Sequence, residues 1–332
     1  MSDQNSLPYL TVVIATRNRR RQLEGCLASL NAQRHASGLF ELVVVNDGST
    51  DDTAAFLAGF PERAPFPVMV LNQENTGVAI ARNLGVASAA GAILAFTDDD
   101  CLLGEDWIAT LLKLWEGAPA SLGGIGGALD TVCPDRSLAA DYLRFLDEFN
   151  YIPVLATFLV RPRHKTRLRG EESIAYLRTS NASFRTDAIQ RIGGFDPAFQ
   201  TPGGEDPDLS YRLLAVGYQL RFSPELRVDH LSRADFRAYF TSLRNYVRGE
   251  FINRRNCGKY PPGPIRRSYA LIPLQKVVSL ALSLVTAPFT ALAVVKHRGS
   301  LDRCAVLFPI FLITSKIIAL RVALGEIRKK DT

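Results

Sequence analysis

A chain of 332 residues, 47% hydrophobic and 22% charged, is long enough for one large α/β domain plus something smaller, and too apolar to be disordered. Its net charge of +6 suits attraction to phosphates or to an anionic membrane surface and is too weak to argue for nucleic acid. The five cysteines are widely spaced and never form a C-x-x-C pair, which argues against a disulfide framework or a zinc site and for a reducing compartment. Residues 1–8 are polar and show no apolar core of a cleavable signal peptide.

In chain order, Leu10 to Ala15 is an apolar run that ends in Thr16-Arg17-Asn18, and Leu23, Leu27 and Leu30 follow at helical spacing. Leu42 to Val45 reads as a second buried strand, ending in Asn46-Asp47-Gly48, with Ser49 or Thr50 as the expected cap of the next helix. Val68 to Leu71 reads as a third strand, and Val78 to Ala90 as an Ala-rich helix carrying Arg82 and Asn83. The fourth strand, Ile93 to Thr97, runs into three carboxylates, Asp98, Asp99 and Asp100. Strand and helix alternate with short links, the pattern of a mostly parallel α/β sheet with helices on both faces. Three of the strands end in polar clusters, and in a parallel sheet those ends share one edge, so the clusters are expected to converge on one crevice. Three adjacent carboxylates repel one another, and a divalent cation with a preference for oxygen, Mg²⁺ or Mn²⁺, would relieve that repulsion. A solvated acidic turn is the bland alternative at this point.

Beyond the carboxylates, Gly123 to Gly127 lacks the dinucleotide-binding spacing and marks a strand that another backbone passes closely. Leu138 to Phe149 has the pattern of an amphipathic helix, and Arg161 to Arg169 holds six basic residues in nine, counting His164. Glu205 and Asp206 precede a helix with Leu209, Leu213 and Leu214 on its apolar face. The dipole there favours acidic residues as a cap, while Gly203-Gly204 gives the preceding loop unusual backbone freedom. Near the end, Val277 to Val295 is nineteen residues without a charge, and Cys304 to Leu324 is mostly apolar but interrupted by Lys316 and Arg321. The expectation is a helical hairpin that spans or enters the membrane, against the alternative of a soluble dimerisation arm. The helix around Phe236 to Phe251, with Arg237, Arg244 and Arg248 among aromatics, has the composition of an interfacial segment. The expected division is a catalytic domain over 1–235, an interfacial helix and linker over 236–270, and a membrane-associated hairpin over 271–332.

Seven stretches, Val12 to Asn18, Val43 to Asp52, Asn75 to Gly85, Phe96 to Asp100, Asn181 to Arg185, Gly193 to Asp196 and Gly204 to Leu213, stand in an order that resembles the family 2 glycosyltransferases of GT-A fold. That family transfers a sugar from a nucleotide diphosphate donor with inversion. The resemblance covers about residues 8 to 215 and departs from the family where Ala15 replaces a frequent proline and Arg17 a frequent tyrosine. No Gln-x-x-Arg-Trp motif of processive synthases follows Asp206, which implies single additions. The resemblance implies that Asp47 receives the nucleobase, with Thr16, Arg17 and Asn18 beside it, and that Arg82 lies by the base and ribose or the phosphates. It places Asp98 near the ribose, Asp99 in the donor site and Asp100 on the metal, with Asp98 and His230 as further candidate metal contacts. Asp206 is implied as the catalytic base and Glu205 as orienting the acceptor, with Asn181 and Gly204 on the acceptor side. The implied partners are a nucleotide-sugar donor, with uridine the commonest base, a lipid-linked or membrane-proximal glycan acceptor at the cytoplasmic face of the cell membrane, Mn²⁺ or Mg²⁺, and a possible second copy of the chain. Two alternatives remain open on the residues alone: a nucleotidyltransferase on a related sheet, which would want a glycine in Thr16 to Arg21, and a non-catalytic sugar-nucleotide adaptor, which would tolerate loss of Asp206.

Overall fold

The computed structural model describes residues 10–34, 38–132, 138–139, 141–142, 176–231, 235–256, 274–281, 283–284 and 303–328. The basic run from Arg161 to Arg169, most of the expected helix from Leu138 to Phe149, the link at 296–302 and residues 285–295 of the first apolar segment lie outside them. The chain packs as two compact units, one of 1–132, 164–201 and 205–231, the other of 133–163, 202–204 and 232–332.

The first unit is built on β1 (Leu10–Thr16), α1 (Arg20–Asn31), β2 (Phe40–Asp47), α2 (Thr53–Ala58), β3 (Val68–Gln73), α3 (Val78–Ser88), β4 (Ile93–Thr97), β5 (Cys101–Leu103), α4 (Trp107–Trp115), β6 (Leu122–Val132), β7 (Asn181–Arg185), α5 (Thr186–Arg191), α6 (Glu205–Ala215) and β8 (Gln219–Leu231). One eight-stranded sheet runs in the order β3-β2-β1-β4-β7-β6-β8-β5. Its first four strands pair in parallel, which follows from β-strands joined through α1, α2 and α3, whereas β7 pairs antiparallel with both β4 and β6. β6 and β8 return to parallel pairing, and β5 closes the far edge antiparallel to β8. The continuous apolar runs of β1 and β2 are buried because both sheet faces are covered. Leu42 and Val44 join the core beneath α1 and α4, while Val43 and Val45 turn the other way and pack with Ala81 of α3.

Gly127 behaves as the sequence leads one to expect. A Cβ there would stand 2.0 Å from the Leu226 carbonyl oxygen, so only glycine lets β8 pass this closely. The expected cap of α2 is corrected. Ser49 Oγ accepts from the Asn18 amide at 3.0 Å, and it is Asp51 Oδ1 that accepts from Thr53 N at 3.1 Å. Ser49 is thus occupied in holding the β1 and β2 loops together, a contact between segments far apart in sequence.

In the second unit α7 (Phe236–Asn256) and α8 (Arg303–Arg328) pack through Val247, Phe251, Ala319 and Ala323. Tyr142 sits in an aromatic cluster with Phe236, Tyr239, Phe308 and Phe311. Within α8, Leu307–Glu326 is long and apolar enough to cross a membrane, the one such helix among the described residues. Of the span 271–332, where a membrane hairpin is expected, the described residues are this helix and helical residues 274–281 and 283–284, and the rest of the expected hairpin lies outside them.

Candidate active site

The carboxyl ends of β1, β2 and β4 meet, as parallel pairing requires, and each strand presents its polar cluster there. At the end of β1 the backbone turns through Asn18, the one described non-glycine residue with positive φ, at 53°. Asparagine tolerates this conformation, and its Oδ1 accepts from the amide of Thr50 at 2.7 Å, fixing the β1 loop to the β2 loop. Arg17 is exposed beside it.

Asp47, at the end of β2, is buried and accepts at Oδ1 from Gln73 Nε2 (2.7 Å) and Thr76 N (2.9 Å), and at Oδ2 from Gly77 N (3.0 Å). It shapes the turn that leads into α3, the helix carrying Arg82. Carboxylate oxygens have lone pairs beyond these bonds, so Asp47 keeps capacity for one more donor.

Arg82 is the centre of the site. Its guanidinium is almost fully buried and donates to Glu205 Oε1 at 2.9 Å and to Asp98 Oδ1 at 3.0 Å, with Asp206 Oδ1 3.7 Å away. One side chain on α3 therefore joins the acidic end of β4 to the first turn of α6, which lies more than a hundred residues further along the chain. Asp98 accepts a second bond from Ser180 Oγ at 2.5 Å. Asp206 accepts from the Thr179 hydroxyl at 2.6 Å and from its amide at 3.2 Å. Burial and the neighbouring Glu205 raise the Asp206 pKa to about 7, against the pull of Arg82. The Asp206 side chain is 19% exposed and that of Glu205 only 5%. Of the two acids, Asp206 is the one an incoming molecule reaches, and Glu205 serves to hold Arg82. Glu205, expected to orient an acceptor, is here engaged with Arg82.

Asp100 faces a different set of partners. β5 pairs antiparallel with β8 so that Cys101 stands opposite His230, and the Leu231 amide bonds the Asp100 carbonyl at 2.8 Å. His230 lies within β8, which runs to Leu231. Its Nε2 stands 3.4 Å from Asp100 Oδ1, and that oxygen is buried without a hydrogen bond. Burial alone would lower the His230 pKa, but Asp100 beside it raises it overall. Asp100 is itself held below the usual carboxylate range by His230 and Arg19, against the effect of burial.

A carboxylate oxygen of Asp100, a ring nitrogen of His230 and Cys101 Sγ all lie within 4.8 Å of one another. Burial pushes the Cys101 thiol well up, so it remains protonated and is a poor ligand. What is left is a carboxylate, one oxygen of which is buried without a hydrogen bond, and an imidazole, an oxygen and a nitrogen donor that a divalent cation such as Mn²⁺ can take. Carboxylates also outnumber cationic side chains here: Asp98, Asp99, Asp100, Glu205 and Asp206 face Arg19, Arg82 and His230. The residues fit a divalent cation.

Other residues expected at the site have contacts within the fold. Asp99, read as donor-binding, is buried and accepts from Thr16 Oγ1 at 2.7 Å and from Arg19 at 2.8 Å, so it braces the end of β1 instead of facing a ligand. Burial raises its pKa to about 6. Thr16 is likewise committed to this brace. Asn181, read as acceptor-side, is buried on β7, where its amide donates to the carbonyls of Ala128 and Leu226, both at 2.9 Å, and accepts from Trp107 Nε1 at 3.0 Å. Gly204, also read as acceptor-side, has φ 109° and accepts from Asn253 Nδ2 at its carbonyl, 2.9 Å. Arg19 was not foreseen; its place in the run from Arg17 to Arg21 gives no sign that it, and not a neighbour, points inward.

The sequence pattern described as glycosyl transferase family 2 matches residues 11–193, more than half of the chain. The chain belongs to glycosyl transferase family 2. A second pattern, glycosyl transferase family group 2, matches residues 165–321. Among relatives of this family 2 glycosyltransferase, glycosyltransferase AglE of Haloferax volcanii is 27% identical over 232 residues, 69% of each chain. Validoxylamine A glucosyltransferase of Streptomyces hygroscopicus subsp. jinggangensis is 31% identical over 234 residues, 66% of this chain and 54% of the relative, so this chain spans about half of that protein. A mannosyltransferase of Pyrobaculum calidifontis, solved with GDP-mannose and Mn²⁺, shares the fold with a TM-score of 0.64 at 19% identity, over 98% of this chain and 89% of that one.

Proposed function

We propose that this family 2 glycosyltransferase moves a sugar from a nucleoside diphosphate donor to a hydroxyl acceptor in one inverting displacement, next to a membrane. The observation that carries the reading is Arg82, which stands beside both Asp98 and Asp206, residues far apart along the chain. Donor and acceptor chemistry require that convergence, because the hydroxyl that the base deprotonates attacks the same carbon that the diphosphate leaves.

Asp206 is the base. A pKa of about 7 lets it take the acceptor's proton and still be ionised at neutral pH, an effect worth about 10²–10⁴-fold in rate. The bonds from Thr179 hold its carboxylate in one orientation. The hydroxyl oxygen forms its bond to the anomeric carbon as the bond to the diphosphate breaks, the proton passing to Asp206 and the electron pair leaving with the phosphate. Displacement from the opposite face inverts the centre. Asp100 and His230 would hold Mn²⁺ or Mg²⁺, with Asp98 beside them. The cation supplies Lewis-acid stabilisation of the negative charge that grows on the departing diphosphate. Asp47, with Arg17 and Asn18 beside it, takes the base of the nucleotide.

Leu307–Glu326 and the aromatic and basic composition of α7 support an acceptor at the membrane. The further reading is a catalytic unit on the cytoplasmic face, a lipid-linked acceptor and single additions. The test is a thermal-shift screen of UDP- and GDP-sugars with Mn²⁺, uridine donors first, followed by assay of nucleoside diphosphate release with candidate acceptors. Release that persists at the wild-type rate in Asp206→Asn would refute the base. A full screen with no stabilising nucleotide sugar would refute the donor class.

A further inference from the structure

One nitrogen of Arg19 bridges two carboxylates. Its Nη1 is 2.8 Å from Asp99 Oδ1 and 2.5 Å from Asp100 Oδ2. The other oxygen of Asp100 is the orphan that faces His230. Asp100 is thus divided between a resident cation on one side and a cation-ready oxygen on the other. The two arginines of the site also differ. Arg82 is enclosed, with its side chain 7% exposed, whereas that of Arg19 is 34% exposed and stands at the junction between the β1 loop and α1. Arg19 can leave without opening the core, and Asp99 then still accepts from Thr16.

We propose that Arg19 is a built-in counter-ion that weakens divalent metal binding until a nucleoside diphosphate arrives, and that its guanidinium then turns from Asp99 and Asp100 to the diphosphate. A guanidinium fixed on a metal-binding carboxylate repels an incoming dication, and it also satisfies part of the negative charge that would attract one. A diphosphate offers Arg19 a better partner in paired phosphate oxygens. Once it has moved, the full charge of Asp100 is available. Metal and nucleotide would then bind as a pair, each tightening the other by the same factor. The enzyme gains a reason not to hold metal without donor. This inference rests on the proposed donor class and adds a residue to it.

The test uses the full chain and measures Mn²⁺ binding by electron paramagnetic resonance of the free ion, without nucleotide and with saturating UDP or GDP. In Arg19→Gln, Mn²⁺ alone should bind about tenfold more tightly than in wild type, roughly what removing one adjacent unit charge does at a partly exposed site. The tightening caused by the nucleotide should shrink by about the same factor. Arg19→Lys keeps the charge and should restore weak Mn²⁺ binding, which separates an electrostatic role from a structural one. Unchanged or weaker Mn²⁺ binding in Arg19→Gln, with Arg19→Lys like it, would overturn the proposal while leaving the donor reading intact. If neither nucleotide alters Mn²⁺ binding in wild type, the donor reading fails with it.

Discussion

Replacing Glu205 by glutamine should move the acid limb of the pH–rate profile downward. In the wild-type protein Asp206 has a pKa raised to about 7, first by burial and then by the Glu205 charge. A base of that pKa is about half ionised at pH 7, about a tenth at pH 6 and about a hundredth at pH 5, so kcat should fall close to tenfold per unit on the acid side. Glu205→Gln removes the like charge and keeps the shape. It also weakens the hold on the Arg82 Nη1 that bonds residue 205 and already stands 3.7 Å from Asp206, because a neutral amide oxygen replaces a charged one. Both changes favour the carboxylate form, so they add. A shift of about one unit corresponds to about 1.4 kcal/mol of differential interaction. The assay is nucleoside diphosphate release at saturating substrates between pH 5 and 8.5. The limb should fall from near 7 towards 6, with a lower plateau because Arg82 has lost an anchor. A limb that stays in place or moves up would show that another group titrates, and the assignment of Asp206 would fail. The stability sign is opposite to that of an ordinary salt-bridged aspartate. Because the folded pKa is raised, the contribution is present below the unfolded value near 4 and is lost as pH rises through about 7.

Three more outcomes follow from the same geometry. Arg82→Met should destabilise the fold by about 3–5 kcal/mol in urea titration, because Glu205 is left buried without its ion pair; a loss below about 1 kcal/mol would contradict the packing described. Asp100→Asn, or a chelator on the wild-type protein, should abolish Mn²⁺-dependent nucleotide binding in calorimetry, and His230→Gln should weaken it by a smaller factor; full Mn²⁺ affinity in Asp100→Asn would remove the metal from this place. Gly127→Ala should lower the melting temperature by several degrees or prevent folding, since a methyl group 2.0 Å from the Leu226 carbonyl forces β6 and β8 apart; a wild-type melting temperature would mean that the two strands are not so close.

What the sequence determined by itself is whatever local pattern carries. Apolar runs that alternate with helical spacing dictate parallel strands, and parallel strands dictate that Thr16, Asp47 and Asp98 gather at one edge. Glycines at 123–127 announce a tight strand before any partner is known. The roles within the gathered cluster were not legible, because they depend on which partner each side chain meets. Of three adjacent aspartates, Asp98 meets Arg82, Asp99 meets Thr16 and Arg19, and Asp100 meets His230. Strand β4 and the turn after it aim consecutive side chains in different directions, so identical residues receive different chemistry. Asn181 lost its expected role because β7 is inserted between β4 and β6, where every polar atom must find a partner inside the sheet. Arg82 and His230 were expected near the site from the resemblance, but Arg19 reaches Asp99 and Asp100 across some eighty residues, and only the folded structure could single it out from the neighbouring arginines.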